Sequence, residues 1–84
     1  MKKTIYVAAI AETCSGELCN CIVWADNEKA LVEKVNDFFD EEENEGHPVA
    51  DSDFTSLREI NGLNVMDIYC DREYDIVTTE IPVE

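Results

Sequence analysis

The sequence predicts an α+β fold: a small antiparallel sheet of about four strands, in ββα(α)ββ order, with one main amphipathic helix packed on a face. Three observations predict it. Two β-branched, apolar runs, 4–13 and 18–25, are joined by a segment that reads as a tight turn. Apolar residues then recur at helical spacing from Leu31 to Phe39. Two more β-rich runs close the chain. Eighty-four residues without a repeat or a Gly/Ser/Pro linker are read as a single domain, 1–84.

Each element has its own warrant. Cys14-Ser15-Gly16-Glu17 supplies the first turn, and a two-residue Ser15-Gly16 loop sets the hairpin register: Thr13 opposite Leu18, Ala9 opposite Ile22, Val7 opposite Trp24. On the other face Ile10 meets Cys21 and Ala8 meets Val23. Both faces are apolar, so the hairpin is expected to be central or covered on both sides. Asp26 and Asn27 are natural helix caps, and Glu28 suits the first turn. Leu31, Val32, Val35, Phe38 and Phe39 then mark an amphipathic helix from Asn27 to about Glu43, ending before Gly46 and Pro48. Leu31, Val35 and Phe38 are read as its buried face, packing near Trp24 or its strand neighbours. A short second helix is expected over Asp53 to Ile60, stopped by Gly62. Leu63 to Cys70 and Tyr74 to Ile81 read as a second hairpin turning at Asp71-Arg72-Glu73.

Charge narrows the function. Twenty Asp and Glu against six Lys and Arg give a net charge of −14. Neutralising phosphates needs Lys and Arg, so direct nucleic-acid binding is excluded, as is docking on an anionic membrane. The excess is not spread evenly. Residues 1–25 are neutral in sum, whereas 26–46 and 47–84 each carry nine acids and two bases. No run approaches the ~18–20 apolar residues of a membrane span. The Lys2-Lys3 start followed by Ile5 to Ala11 is shorter than the ~15–30 residues of a signal peptide. A cytoplasmic protein with reduced thiols is expected.

The chemistry-bearing residues are few. Cys14, Cys19 and Cys21, with Cys70 or His47, supply enough ligands for a tetrahedral zinc site, but the C-x4-C-x-C spacing is not the paired C-x2-C pattern of zinc knuckles. As buried or incidental thiols the cysteines need no metal, and no cofactor is expected. The acidic run from Asp40 fails the calcium-loop test, with Glu45 at position 6 and Asp51 at position 12. There is no phosphate-cradling glycine loop and a single histidine, so no enzyme activity is expected.

The helix remains. At 100° per residue Glu33, Asp37 and Asp40 fall opposite the apolar stripe, flanked by Glu41 and Asn44. Glu33/Asp37 and Asp37/Glu41 are like-charge pairs four residues apart, each costing about 0.2–0.5 kcal/mol. Asp40 to Glu43 crowd the carboxyl end, where the helix dipole disfavours negative charge. Local physics is broken there, as happens at functional surfaces. Glu33, Asp37, Asp40, Glu41, Glu42, Glu43 and Glu45 are therefore the candidate partner-binding residues. Helix carboxylates about 5–6 Å apart approximate the spacing of backbone phosphates, so the expected partner is a basic nucleic-acid-binding protein whose groove the chain would occupy. In size, acidity and lack of catalytic motifs the chain is similar to phage-encoded DNA mimics, including anti-CRISPR and anti-restriction proteins. The likeness is one of composition and transfers no residue. A cysteine-based zinc domain and an acidic host interaction module without mimicry stay open beside it.

Overall fold

A computed structural model describes residues 3–14, 17–49, 53–69 and 71–83, and within these not the side chains of residues 14 and 17–19. The elements are β1 (Lys3–Cys14), β2 (Glu17–Ala25), α1 (Glu28–Asn44), α2 (Leu57–Ile60), β3 (Asn64–Met66) and β4 (Glu73–Val83). They form a four-stranded sheet in the order β2-β1-β4-β3, antiparallel throughout, with α1 across one face. This is the predicted α+β architecture.

The first hairpin has the predicted register. Thr13 pairs with Leu18, Ala9 with Ile22, Val7 with Trp24, Ile10 with Cys21 and Ala8 with Val23. The Ser15-Gly16 turn itself lies outside the described residues. β1 also pairs with β4 from Lys3↔Val83 to Thr13↔Glu73, so it is the central strand of the long part of the sheet. β2 is an edge strand, not a covered one.

The ends of α1 follow from its caps. The Asn27 side chain accepts a hydrogen bond of 2.8 Å from the Ala30 amide, satisfying one of the unpaired donors of the first turn. At the other end Gly46 has φ +94°, and the amides of Gly46 and His47 donate to the carbonyls of Glu43 and Glu42 at 3.0 and 2.8 Å. That pair of bonds is the Schellman termination, which favours glycine at the left-handed position.

The core lies between α1 and the sheet. Ala8 and Ile10 of β1, Leu31, Val32, Val35 and Phe39 of α1, and Tyr74 and Ile76 of β4 are all buried. Phe39 is the hub: its ring meets Phe38, Phe54 and Tyr74 edge-on at centroid distances of 5.1, 6.0 and 5.2 Å. The buried stripe is thus Leu31, Val35, Phe39 and Glu42, and Phe38 sits on its rim, half-buried. The helix does not pack on Trp24. Period-two alternation along β2 turns Cys21 and Val23 toward α1 and Ile22 and Trp24 to the opposite side.

The segment after α1 departs furthest from the pattern. Among the described residues of this segment only Leu57–Ile60 is helical; Ser56 is extended and residues 53–55 lie outside any helix. Asn36 holds them by two hydrogen bonds, donating to the Phe54 carbonyl and accepting from the Phe54 amide, each at 2.9 Å. Those bonds take the backbone groups a longer helix would have used. Gly62, at φ +79°, then turns the chain so that its amide reaches the Ile76 carbonyl at 2.7 Å. β3 is three residues long and stops at Met66. Asp67 leaves the ladder to bridge Val49, and the connection to β4 is a loop over 67–72, not a tight turn at Asp71-Arg72-Glu73. Cys70 lies outside the described residues.

Candidate functional site

Glu33, Asp37, Asp40, Glu41, Glu43 and Glu45 are all exposed. Glu33, Asp37 and Asp40 stand on the solvent side of α1, opposite Leu31, Val35 and Phe39, because the buried stripe repeats every three to four residues. No ion pair within 4.0 Å joins any of these six to another described residue, and the last turn of α1 holds no basic residue. One helical cation, Lys34, is drawn away from the stripe. Lys34 donates a 2.6 Å hydrogen bond to the Trp24 carbonyl, and its ammonium lies 5.5 Å from the centre of the Trp24 ring. From Glu33 to Asn44 the stripe runs about 16 Å at ~1.5 Å per residue.

Glu42 does not belong to that stripe. It is buried, and its carboxylate faces Arg72, which also pairs with Glu12 of β1 at 2.5 Å. The Arg72–Glu42 distance is 3.6 Å. Burial raises the Glu42 pKa, and the nearby Glu12 and Glu45 charges raise it further, while Arg72 and His47 oppose them. Burial likewise pushes the Tyr74 hydroxyl up to about 12, the nearby Glu42 and Glu12 charges adding to it and Arg72 opposing them. Glu42, Glu12, Arg72 and Tyr74 come from the helix, two strands and the loop before β4. Their arrangement fastens the last turn of α1 to the sheet.

The thiols and the histidine are less informative. Cys21 is a free, half-buried thiol on the helix side of β2. Cys14 and Cys19 have no described side chain. His47 is engaged: its Nδ1 lies 3.1 Å from Asp67 Oδ2, and Asp67 Oδ1 accepts the Tyr69 amide at 2.8 Å. That contact ties the chain after α1 to the loop before β4. Among the described residues, no group of three or more His, Cys, Asp or Glu side chains is placed to hold a metal ion.

One surface was not anticipated. Among the described residues, no helix or strand covers the face of the sheet away from α1. Ile22 is 68% exposed, Trp24 54%, Val77 60% and Ile81 42%. Ile5 and Val7, half-buried by these neighbours, complete an apolar face with a shallow depression of about 610 Å³. Lys3 and Asp26, paired at 3.3 Å, mark one end of it. The equal apolarity of the two faces of the first hairpin carries this signal, although by itself it predicts cover on both sides. The molecule therefore offers two unlike surfaces, one of carboxylates and one of hydrocarbon. The chain matches no protein family, no curated protein and no solved structure, and these two surfaces are the ground for a functional reading.

Proposed function

We propose that this is a small acidic binding protein, not an enzyme, that presents the exposed carboxylates of α1 to the basic nucleic-acid-binding surface of a target protein and inhibits it by occupancy, as a DNA mimic does. The observation that carries the reading is the stripe of Glu33, Asp37, Asp40 and Glu41, exposed and unpaired among the described residues. These charges strain their own helix through like-charge neighbours and an opposed dipole, and a partner rich in Lys and Arg relieves both effects. Such a partner is also steered toward the stripe at long range. Glu43 and Glu45 flank the proposed contact; Glu42, facing inward, is left out of it. The reading places the chain in the cytoplasm. Among the described residues no helix is long and apolar enough to cross a membrane.

The test uses the protein as bait in cell lysate. Captured proteins should be nucleic-acid binders, released by added duplex DNA and by raised salt, since screening acts over about 8–10 Å at physiological ionic strength. Reversing Glu33, Asp37 and Asp40 to Lys should abolish capture. Reversing the exposed Asp53, Asp71 and Glu80 changes the net charge equally and should leave most of it. Equal losses would reduce the effect to generic attraction, and a captured partner indifferent to DNA would overturn the reading.

A further inference from the structure

We propose that two copies of this chain pack their uncovered sheet faces together about a two-fold axis, with the α1 helices outermost. The proposal rests on the sheet and stands or falls independently of the acidic helix.

Size is the first argument. The stretch of β1 paired with β4, Lys3 to Thr13, together with β2, spans roughly 36 Å by 14 Å from ordinary strand rise and spacing. That is about 500 Å² a side, and two copies reach the ~1,000 Å² at which specific interfaces begin. Its apolar centre is a contiguous exposed patch of the kind that marks an interaction site.

The distribution of charge selects the occupant. In a chain of net charge −14, the centre of this face, Ile5, Val7, Ile22, Trp24, Val77 and Ile81, carries none. Its charged neighbours lie at the edges: Lys3 with Asp26 at one end, Asp75 and Glu73 at the other, and the Lys34 ammonium beside Trp24 on the β2 side. An apolar centre with a polar rim is the anatomy of an interface. A rim corner holding one charge of each sign is its own complement under two-fold rotation, with Lys3 of each copy facing Asp26 of the other. A strongly basic partner gains nothing from this face. Two copies, in contrast, keep their acidic helices apart. Helix, sheet, sheet and helix stack at about 10 Å per layer, so the two α1 stripes lie about 30 Å apart, several times the ~8 Å Debye length.

A competing route exists in the same molecule. β2 is an edge strand with no proline and no lysine, whereas the far end of β4 is blunted by Glu80 and Pro82. Pairing two β2 edges would extend the sheet yet leave Ile22, Val77 and Ile81 in water.

Sedimentation of the full chain from ~1 to ~300 μM tests the proposal, a range that brackets micromolar association. The wild type should form a dimer that tightens as salt rises, because screening removes repulsion from an apolar contact. Ile22→Asp and Val77→Asp, each made separately, should weaken it ~100-fold or more, since each puts two carboxylates into the contact. Both side chains are exposed in the single chain, so helical and strand circular dichroism should persist. Should either variant misfold, dilution of the wild type must shift the methyl resonances of Ile22, Val77 and Ile81. A wild type that is monomeric across the range overturns the proposal. So does a dimer that survives both substitutions, or dilution shifts confined to the backbone of β2, either of which assigns the contact to the edge.

Discussion

The two faces of β1 are made from nearly the same residues and have opposite fates. Ala8 and Ile10 point under α1 and are fully buried, while Val7 and Ala9, one position away, look out from the other face, Ala9 exposed. Nothing in their hydropathy separates them. The difference comes from what the rest of the chain supplies: one helix of 17 residues, enough to cover one side of three long strands. Apolarity in a strand reports that a face wants covering. The number of covering elements decides whether the same chain does it.

The comparison breaks most readily in the core. Phe39→Ala removes the hub of the aromatic cluster and should cost about 3–5 kcal/mol, comparable with the whole stability of a small domain. Phe38→Ala, on the rim, should cost clearly less, and equal losses in thermal melts would mean the two rings share the burial. Next in size is Asn36→Ala. It strips both hydrogen bonds from the Phe54 backbone and should cost about 1–3 kcal/mol if that segment holds the lower edge of the core, measured by urea unfolding.

A subtler contrast separates Glu42 from its exposed neighbours. Its pKa is raised above the ordinary 4.5, so the folded state holds the proton more tightly than the unfolded chain does. Ionisation therefore weakens the fold. The penalty is absent below the unfolded pKa and complete above the folded one. Relative to wild type, Glu42→Gln should be more favourable at pH 7 than at pH 3.5, and a pH-independent difference would contradict the inward placement. The smallest effect is expected on the solvent side of α1. Reversing Glu33, Asp37 and Asp40 to Lys turns Asp37/Glu41 into an attractive pair but leaves positions 33 and 37 like-charged, so stability should change by only a few tenths of a kcal/mol. A large loss there would mean the stripe is part of the fold.

Much of this was legible before the structure. The hairpin register follows residue by residue, because a two-residue loop leaves no freedom in which positions oppose. The helix limits follow from Asn27 and Gly46, whose chemistry is local. What escaped depended on contacts across the chain. A helical wheel assigns angles but cannot foresee Arg72, which arrives from the loop before β4 and turns Glu42 from a candidate contact into an internal partner. β3 looked longer because Asp67, Ile68 and Tyr69 are ordinary sheet company. Asp67 instead bridges Val49 and meets His47 with its side chain, the Ile68 amide donates to the Pro48 carbonyl, and the Tyr69 amide donates to Asp67. The exposure of Glu33, Asp37 and Asp40 follows from periodicity alone. The bare sheet face was missed, since alternation cannot say how many faces will find a cover.

Trp24 is the chain's single tryptophan, and it lies on the uncovered face with the Lys34 ammonium over its ring. Its fluorescence therefore speaks for the outside of the molecule. The indole starts half in water, so unfolding should change its emission wavelength little, and a denaturation followed by that signal alone would understate the transition. The interior holds Phe39 and Tyr74, which are optically quieter. The same placement makes the indole a reporter of anything that settles over the sheet: coverage should shift its emission to the blue and shield it from a soluble quencher, while the core beneath stays unchanged.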